Sequence, residues 1–146
     1  MLSHVYVGIT DLQRAFTFYD ALMAELGYPL KFCEPENSWA GWMPKAGGRP
    51  LFVIGAPYDG QRAEPGNGHM VALLAPSREA VDRCHAIALA AGGLDEGRPG
   101  LRPHYHPDYY GAYFRDPDGN KICVCCHDPV PASGADRRPD PALTSS

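Results

Sequence analysis

The sequence predicts an α+β protein made of two copies of one strand–helix–three-strand unit. Three observations carry that prediction. Residues 2–9 alternate, with Val5, Val7 and Ile9 against His4, Tyr6 and Gly8, and run directly into an apolar stripe at helical spacing. The same succession of strand, cap and helix returns 66 residues later, with Ser77 in the place of Asp11. Towards the other end, two strong strands at 109–115 and 121–126 flank Asp116-Pro117-Asp118-Gly119-Asn120, a run of turn-forming residues.

In the first half, Thr10 or Asp11 caps the helix through its side-chain oxygen, and Leu12, Ala15, Phe16, Tyr19, Leu22, Met23 and Leu26 form its apolar face. Gly27 ends it where a left-handed residue is wanted. Three short strands follow, at 30–34, 38–43 and 51–54, separated by Glu36-Asn37 and Gly47-Gly48. Trp39 and Trp42 fall on opposite faces of their strand, so at most one leaves the core. In the second half, residues 70–75 form the strand. Pro76-Ser77 opens a helix lined by Val81, Cys84, Ala88 and Ala91, and Gly92-Gly93 closes it, setting Gly93 against Gly27. His85 sits in mid-helix as a surface or packing residue. Residues 101–106 are a weak strand candidate, interrupted by Pro103 and followed by Pro107. The expected organisation is one domain over 1–128, with repeats at about 1–57 and 66–128 and a polar connector between them. A flexible tail at 129–146 is rich in Pro, Ser, Asp and Arg.

A chain of 146 residues with 45% hydrophobic and 21% charged content can bury a core without cross-links. The net charge of -4 and the absence of any long basic run argue against nucleic acid or an anionic membrane as partner. No apolar stretch approaches the length of a membrane span, and residues 1–9 lack the pattern of a secretory signal. The odd count of five cysteines, three of them at Cys123, Cys125 and Cys126, reads as free thiols in a reducing cytoplasm.

The opening strand with His4, the segment Thr10-Asp11 with Arg14-Ala15-Phe16-Thr17-Phe18-Tyr19, and the hairpin Tyr113-Phe114-Arg115-Asp116-Pro117-Asp118-Gly119-Asn120 resemble the vicinal oxygen chelate superfamily. That superfamily comprises glyoxalases, extradiol dioxygenases and bleomycin- or fosfomycin-resistance proteins. The likeness spans about residues 2–127 and implies two βαβββ modules whose mixed sheets curve into a cup, with helices outside. It also implies a divalent metal in the cup and, in many members, a homodimer. Carried over by position, the metal ligands become His4, Met70 and Cys123. His69 would join them only if a bulge after Gly66-Asn67-Gly68 turned it inward. The usual third ligand is a Glu, and Cys123 stands in its place. Such a set is degenerate for magnesium or manganese, which want oxygen and imidazole donors, so no cofactor is expected. The alternatives are a softer divalent ion, zinc above all, or thiol and thioether groups that merely fill the cup floor.

The other polar cluster is His104-Tyr105-His106-Pro107-Asp108-Tyr109-Tyr110. If extended, it sets His104 and His106 on one face, able to bind an anion, stack on an aromatic ligand or shuttle protons. Tyr6 and Tyr113 are further candidates on the cup face, so the ligand-binding set is His104, His106, Tyr109, Tyr110, Tyr6 and Tyr113. Cys123, Cys125 and His127 share one face of the last strand, and Lys121 on that face could depress the Cys123 pKa. The functional expectation is a cytoplasmic, homodimeric protein binding a small molecule in its cup. The sequence leaves open whether a reaction is catalysed. The alternatives are a metal-dependent lyase, isomerase or dioxygenase, and a metal-free acid–base enzyme using His104 and His106.

Overall fold

The computed structural model describes residues 1–130, so most of the expected tail lies outside the described residues. Strand β1 (His4–Gly8) leads into helix α1 (Leu12–Leu26), followed by β2 (Leu30–Glu34), a short 3-10 turn (Pro35–Asn37), β3 (Trp39–Trp42) and β4 (Leu51–Gly55). After the connector come β5 (Val71–Leu74), α2 (Arg78–Ala90), β6 (Leu94–Leu101), β7 (Tyr110–Arg115) and β8 (Lys121–Cys126). The two sheets have equivalent orders, β1-β4-β3-β2 and β5-β8-β7-β6. In each, the first strand runs parallel to the last and the remaining pairs are antiparallel.

Backbone hydrogen bonds locate the repeat. Ile9 N–H donates to the Gly55 carbonyl at 2.9 Å, and Ala75 N–H, 66 residues on, donates to that of Cys125 at 2.8 Å. The helix starts match too: the Asp11 side chain accepts from Arg14 N–H, and the Ser77 hydroxyl from Ala80 N–H. The stops do not keep that offset. Tyr28 N–H reaches back to the Met23 carbonyl and Gly93 N–H to that of Ala88, which makes Gly92, with φ 100°, the counterpart of Gly27, with φ 82°. Gly93 has a different reason to be glycine. A Cβ there would lie 2.8 Å from the carbonyl oxygens of Ala88 and Arg115.

Alternation along each strand separates two environments. Val7, Ile9, Ile54, Phe114, Ile122 and Val124 face the helices in one continuous core with Phe18, Tyr19 and Leu22. Each such side chain removed from water contributes about 1.5–3 kcal/mol. Trp42 joins this core, whereas Trp39 on the opposite face is partly exposed. Helices α1 and α2 pack against each other, so the halves share one interior.

The hairpin between β7 and β8 fastens the halves together. Asp116, 3% exposed, accepts from the backbone N–H groups of Asp118 and Asn120 and from Asn120 Nδ2, each at 2.9 Å. It also accepts from the Tyr19 hydroxyl of α1 at 2.5 Å. Asn120 Nδ2 reaches on to the Gly8 carbonyl at 2.9 Å, while Asp118 receives Thr10 N–H and the Arg14 guanidinium. The turn residues thus also seat the start of α1 against the second sheet.

One strand assignment requires correction. The strand expected at 101–106 lies instead at Leu94–Leu101, and residues 102–109 form turns closed by Tyr105 N–H to the Arg102 carbonyl and Tyr109 N–H to that of His106. β6 is an edge strand whose pairing with β7 shifts register twice, between Asp95 and Gly97 and between Gly97 and Gly100. Its sequence, LDEGRPGL, has neither apolar alternation nor β-branched residues, because both its faces stay largely exposed. His85, largely buried on α2, helps to hold this edge through Asp95 at 2.9 Å.

Candidate functional site

The sheet faces turned away from the helices carry a different set of side chains. On the first sheet, Tyr6 lies over Gly55 and Phe32 over Gly41, where any Cβ would collide with the ring. On the second, Tyr109 lies over Gly111 in the same way, with a Cβ position 2.9 Å from its ring. The connector walls this side of the molecule. Its first part, with Tyr6, Asn37 and Trp39, encloses a cavity of about 1040 Å³ bordered by Asp59, Arg62 and Glu64. Its last part, including His69 and Met70, faces Tyr105, Tyr109, Tyr113 and Lys121 across a cavity of about 810 Å³.

The second cavity lies over a chain of polar groups on β7, β8 and the loop before them. Tyr109 and Tyr113 hydroxyls are 3.0 Å apart, and Tyr109 also meets Cys123 Sγ at 3.5 Å. Beside them, Cys125 Sγ lies 3.5 Å from His127 Nε2, and His127 Nδ1 lies 2.9 Å from His106 Nε2. Asp108 N–H donates to His106 Nδ1, so the neutral His106 ring carries its proton on Nε2. His106 therefore donates to His127 Nδ1, which leaves the His127 Nε2–H to donate to Cys125. The order of donation along the row is fixed by a single backbone amide.

The row ends at Cys123, fully buried on β8. Hydrogen bonding from Cys125, helped by the Tyr109 and Tyr113 hydroxyls and the Arg102 charge, holds the Cys123 thiol down to about 7 against the opposing effect of burial. Lys121 is not among the main influences on it; its ammonium lies 5.7 Å from the Tyr113 ring centroid. Burial, then hydrogen bonding to Cys123, pushes the Tyr109 hydroxyl well above the usual tyrosine range. Tyr113 is raised as well, chiefly by desolvation, so both phenols stay protonated at neutral pH.

The remaining residues singled out from the sequence are dispersed. Tyr110 turns to the helix side, where its hydroxyl donates to Asp82 at 2.6 Å and Arg78 covers its ring. Tyr6 belongs to the first cavity and donates to the Ala56 carbonyl at 2.6 Å. His104 and His106 are not held on one face of a strand: the His104 ring packs on Tyr105 at 4.3 Å, and His106 stacks on His127 at 5.1 Å. His69 precedes β5 instead of belonging to it, its ring lying over Gly66, and it borders the second cavity with no bulge needed. Tyr105, part of the polar cluster at 104–110, lines the second cavity, whereas Arg102 and Arg115 escaped the sequence reading. Of these two, Arg115 had a usable signal, since it falls on the same face of β7 as Tyr113.

These positions match a family model, that of the glyoxalase/bleomycin resistance protein/dioxygenase superfamily, over residues 1–124. The chain belongs to this superfamily. It is similar to the crystal structure of a glyoxalase/bleomycin resistance protein from Albidiferax ferrireducens T118, with 41% identity, a TM-score of 0.78, and coverage of 86% of this chain and 98% of that one. A glyoxalase-related enzyme from Fulvimarina pelagi shares the fold at 23% identity and TM-score 0.65, covering 94% and 95% of the two chains. So does a glyoxalase/bleomycin resistance protein/dioxygenase family enzyme from Burkholderia phytofirmans PsJN, at 20% identity and TM-score 0.63, covering 86% and 98%. None of the curated proteins matches.

Many members of the superfamily use a metal, and the residues at the inherited positions here do not fit a hard divalent ion. His4 is exposed beside Ser3, its Nδ1 2.9 Å from the Ser3 hydroxyl. Met70 borders the second cavity, and Cys123 lies beneath Tyr109. Neither sulfur offers the oxygen that magnesium or manganese requires. Among the described residues, no three His, Cys, Asp or Glu side chains cluster closely enough to hold a metal ion.

Proposed function

We propose that this superfamily member binds a small molecule in the cavity above β7 and β8, and that binding needs no hard divalent ion. One observation carries the reading. The cavity keeps the recognition groups of a ligand site, three tyrosines with hydroxyls and a lysine, above a thiol at the position where the family places a carboxylate ligand. Aromatic walls supply contact area at little entropic cost, and their hydroxyls fix orientation.

The protein works as a homodimer in this reading. Leu2, Met70 and Leu74 remain 57%, 44% and 58% exposed along an apolar cleft of about 480 Å³ that also touches Val5. The facing strands β1 and β5 are the outer strands of their sheets. Apolar surface beside open strand edges is what a second subunit covers. All five cysteines are unpaired, in keeping with a reducing, cytoplasmic setting.

The test is a thermal-shift screen of aromatic acids, amides and amines on protein treated with EDTA, followed by calorimetry of the hits. The reading expects saturable binding that EDTA leaves unchanged, that His4→Ala preserves and that Tyr109→Ala weakens at least about tenfold. Binding that appears only after adding manganese, magnesium or zinc would return the protein to the metal-dependent lyases, isomerases and dioxygenases of its superfamily.

A further inference from the structure

We propose that the cavity above β7 and β8 takes a small organic anion, a carboxylate, sulfonate or phosphate monoester borne on a flat aromatic body. This rests on the preceding reading of that cavity as the ligand site and adds the ligand's chemistry. Lys121 and Arg115 border the cavity, and among the described residues no Asp or Glu does. Arg102 stands next to them, its guanidinium carbon 5.4 Å from the centroid of the same Tyr113 ring that Lys121 approaches at 5.7 Å. Two cations thus approach one aromatic ring.

Their counter-charges are the informative part. Arg115 is answered by Glu96 at 3.3 Å and by the Gly119 carbonyl. Among the described residues, Lys121 and Arg102 form no ion pair; Arg102 only donates to the Arg98 carbonyl at 2.9 Å. In a chain of net charge -4, two uncompensated cations beside a cavity are a local reversal of sign. The cavity of the first half shows the contrast, since Asp59 and Glu64 outnumber Arg62 there.

The rest of the wall fits the same ligand. Tyr105 and Tyr109 rings lie 4.9 Å apart, and Tyr113 completes a set of flat surfaces for a conjugated ring. The Tyr109 and Tyr113 hydroxyls stay protonated at neutral pH; one donates to the other across 3.0 Å, so one O–H of the pair remains for a carboxylate or sulfonate oxygen, and neither offers a cation a negative partner. A cationic ligand would meet Lys121, Arg115 and Arg102, with no carboxylate among the described residues of the wall to receive it.

The experiment uses five probes with one ring system: 2-naphthoate, naphthalene-2-sulfonate, 2-naphthyl phosphate, neutral 2-naphthamide and cationic 2-naphthamidine. Each is titrated calorimetrically into the full-length, EDTA-treated protein. The strongest anion should bind at least about tenfold more tightly than the amide, as one charge-assisted contact supplies, and the amidine least. The ranking of the three anions identifies the head group. Raising ionic strength from about 50 to 500 mM should weaken the anions and leave the amide unchanged. In the Lys121→Gln, Arg102→Gln double variant the anions should fall to within about twofold of the affinity that the same variant shows for the amide, and Lys121→Arg should retain the preference. Amide or amidine binding as tight as every anion, or a preference surviving in the double variant, overturns the inference alone. If no probe binds, the cavity is not the ligand site and both readings fall.

Discussion

The junction between Tyr19 and Asp116 ties α1 to the β7–β8 turn, and its contribution can be worked out from the contacts. One carboxylate oxygen of Asp116 accepts two backbone N–H groups; the other accepts the Tyr19 hydroxyl and Asn120 Nδ2. Tyr19→Phe removes one donor and leaves the second oxygen still bonded, so the loss is that of a buried hydrogen bond to a charged group, about 1.5–2 kcal/mol. Asp116→Asn is more damaging despite equal volume. Its amide nitrogen replaces the second oxygen and confronts Asn120 Nδ2, donor against donor. Asn120 cannot flip without abandoning the Gly8 carbonyl. One buried donor is stranded, and the expected loss is about 2–3 kcal/mol. Because each substitution removes the charge-assisted bond that Tyr19 donates to the Asp116 carboxylate, the double variant should lose about 1 kcal/mol less than the sum. Denaturant unfolding of the four proteins at pH 7 measures all three quantities. Burial holds the Asp116 carboxyl above its ordinary value despite its donors, so the contribution from its titration is fully present below the unfolded value and declines as pH rises through the folded one. Strict additivity, or a Tyr19→Phe variant as stable as the wild type, would refute the clasp.

Three further outcomes follow from the site. Thiolate absorbance should rise with a midpoint near 7 and disappear in Cys123→Ser, since Cys125, Tyr109, Tyr113 and Arg102 favour the Cys123 thiolate. With a folded value below the unfolded one, this contribution to stability is present above the unfolded value and lost as pH falls through about 7. The new negative charge beneath Tyr109 should also weaken binding of 2-naphthoate as pH rises through the same midpoint. Dialysis against manganese or magnesium should leave the wild type with far less than one ion per chain, and Cys123→Glu should raise retention; a stoichiometric wild-type ion lost on His4→Ala would contradict the reading. In sedimentation at micromolar concentration the protein should be a dimer, and Leu74→Glu should drive it towards monomer by charging the exposed apolar cleft.

The fold was legible because its signals are local. Val5, Val7 and Ile9 alternate, Asp11 and Ser77 cap, Gly27 stops, and Asp116 to Asn120 turn, each through chemistry that acts over a few residues. β6 was illegible for the same reason. An edge strand exposed on both faces leaves no apolar pattern, and Leu94–Leu101 is held by its neighbour β7 more than by its own side chains. The Gly92-Gly93 pair also misled, since two adjacent glycines serve different needs and only the hydrogen bonds tell them apart. Within the site, period two correctly grouped Cys123, Cys125 and His127. It could not foresee that the turns at 102–109 would fold back, bringing His106 to His127 and Tyr109 to Cys123. Arg102 gave no signal at all, because its relation to Lys121 runs through the Tyr113 ring and not through spacing along the chain.

The central claim is that the cavity above β7 and β8 receives the ligand without a metal, and mapping where a probe lands tests it most directly. Two-dimensional NMR of isotope-labelled, EDTA-treated protein titrated with 2-naphthoate should shift the amides of His69, Tyr105, Tyr109, Tyr113 and Lys121 together, with one saturation curve. Shifts gathered instead around Tyr6, Trp39 and Arg62 or around Leu2 and Leu74, or shifts that appear only once a divalent metal is added, would contradict it.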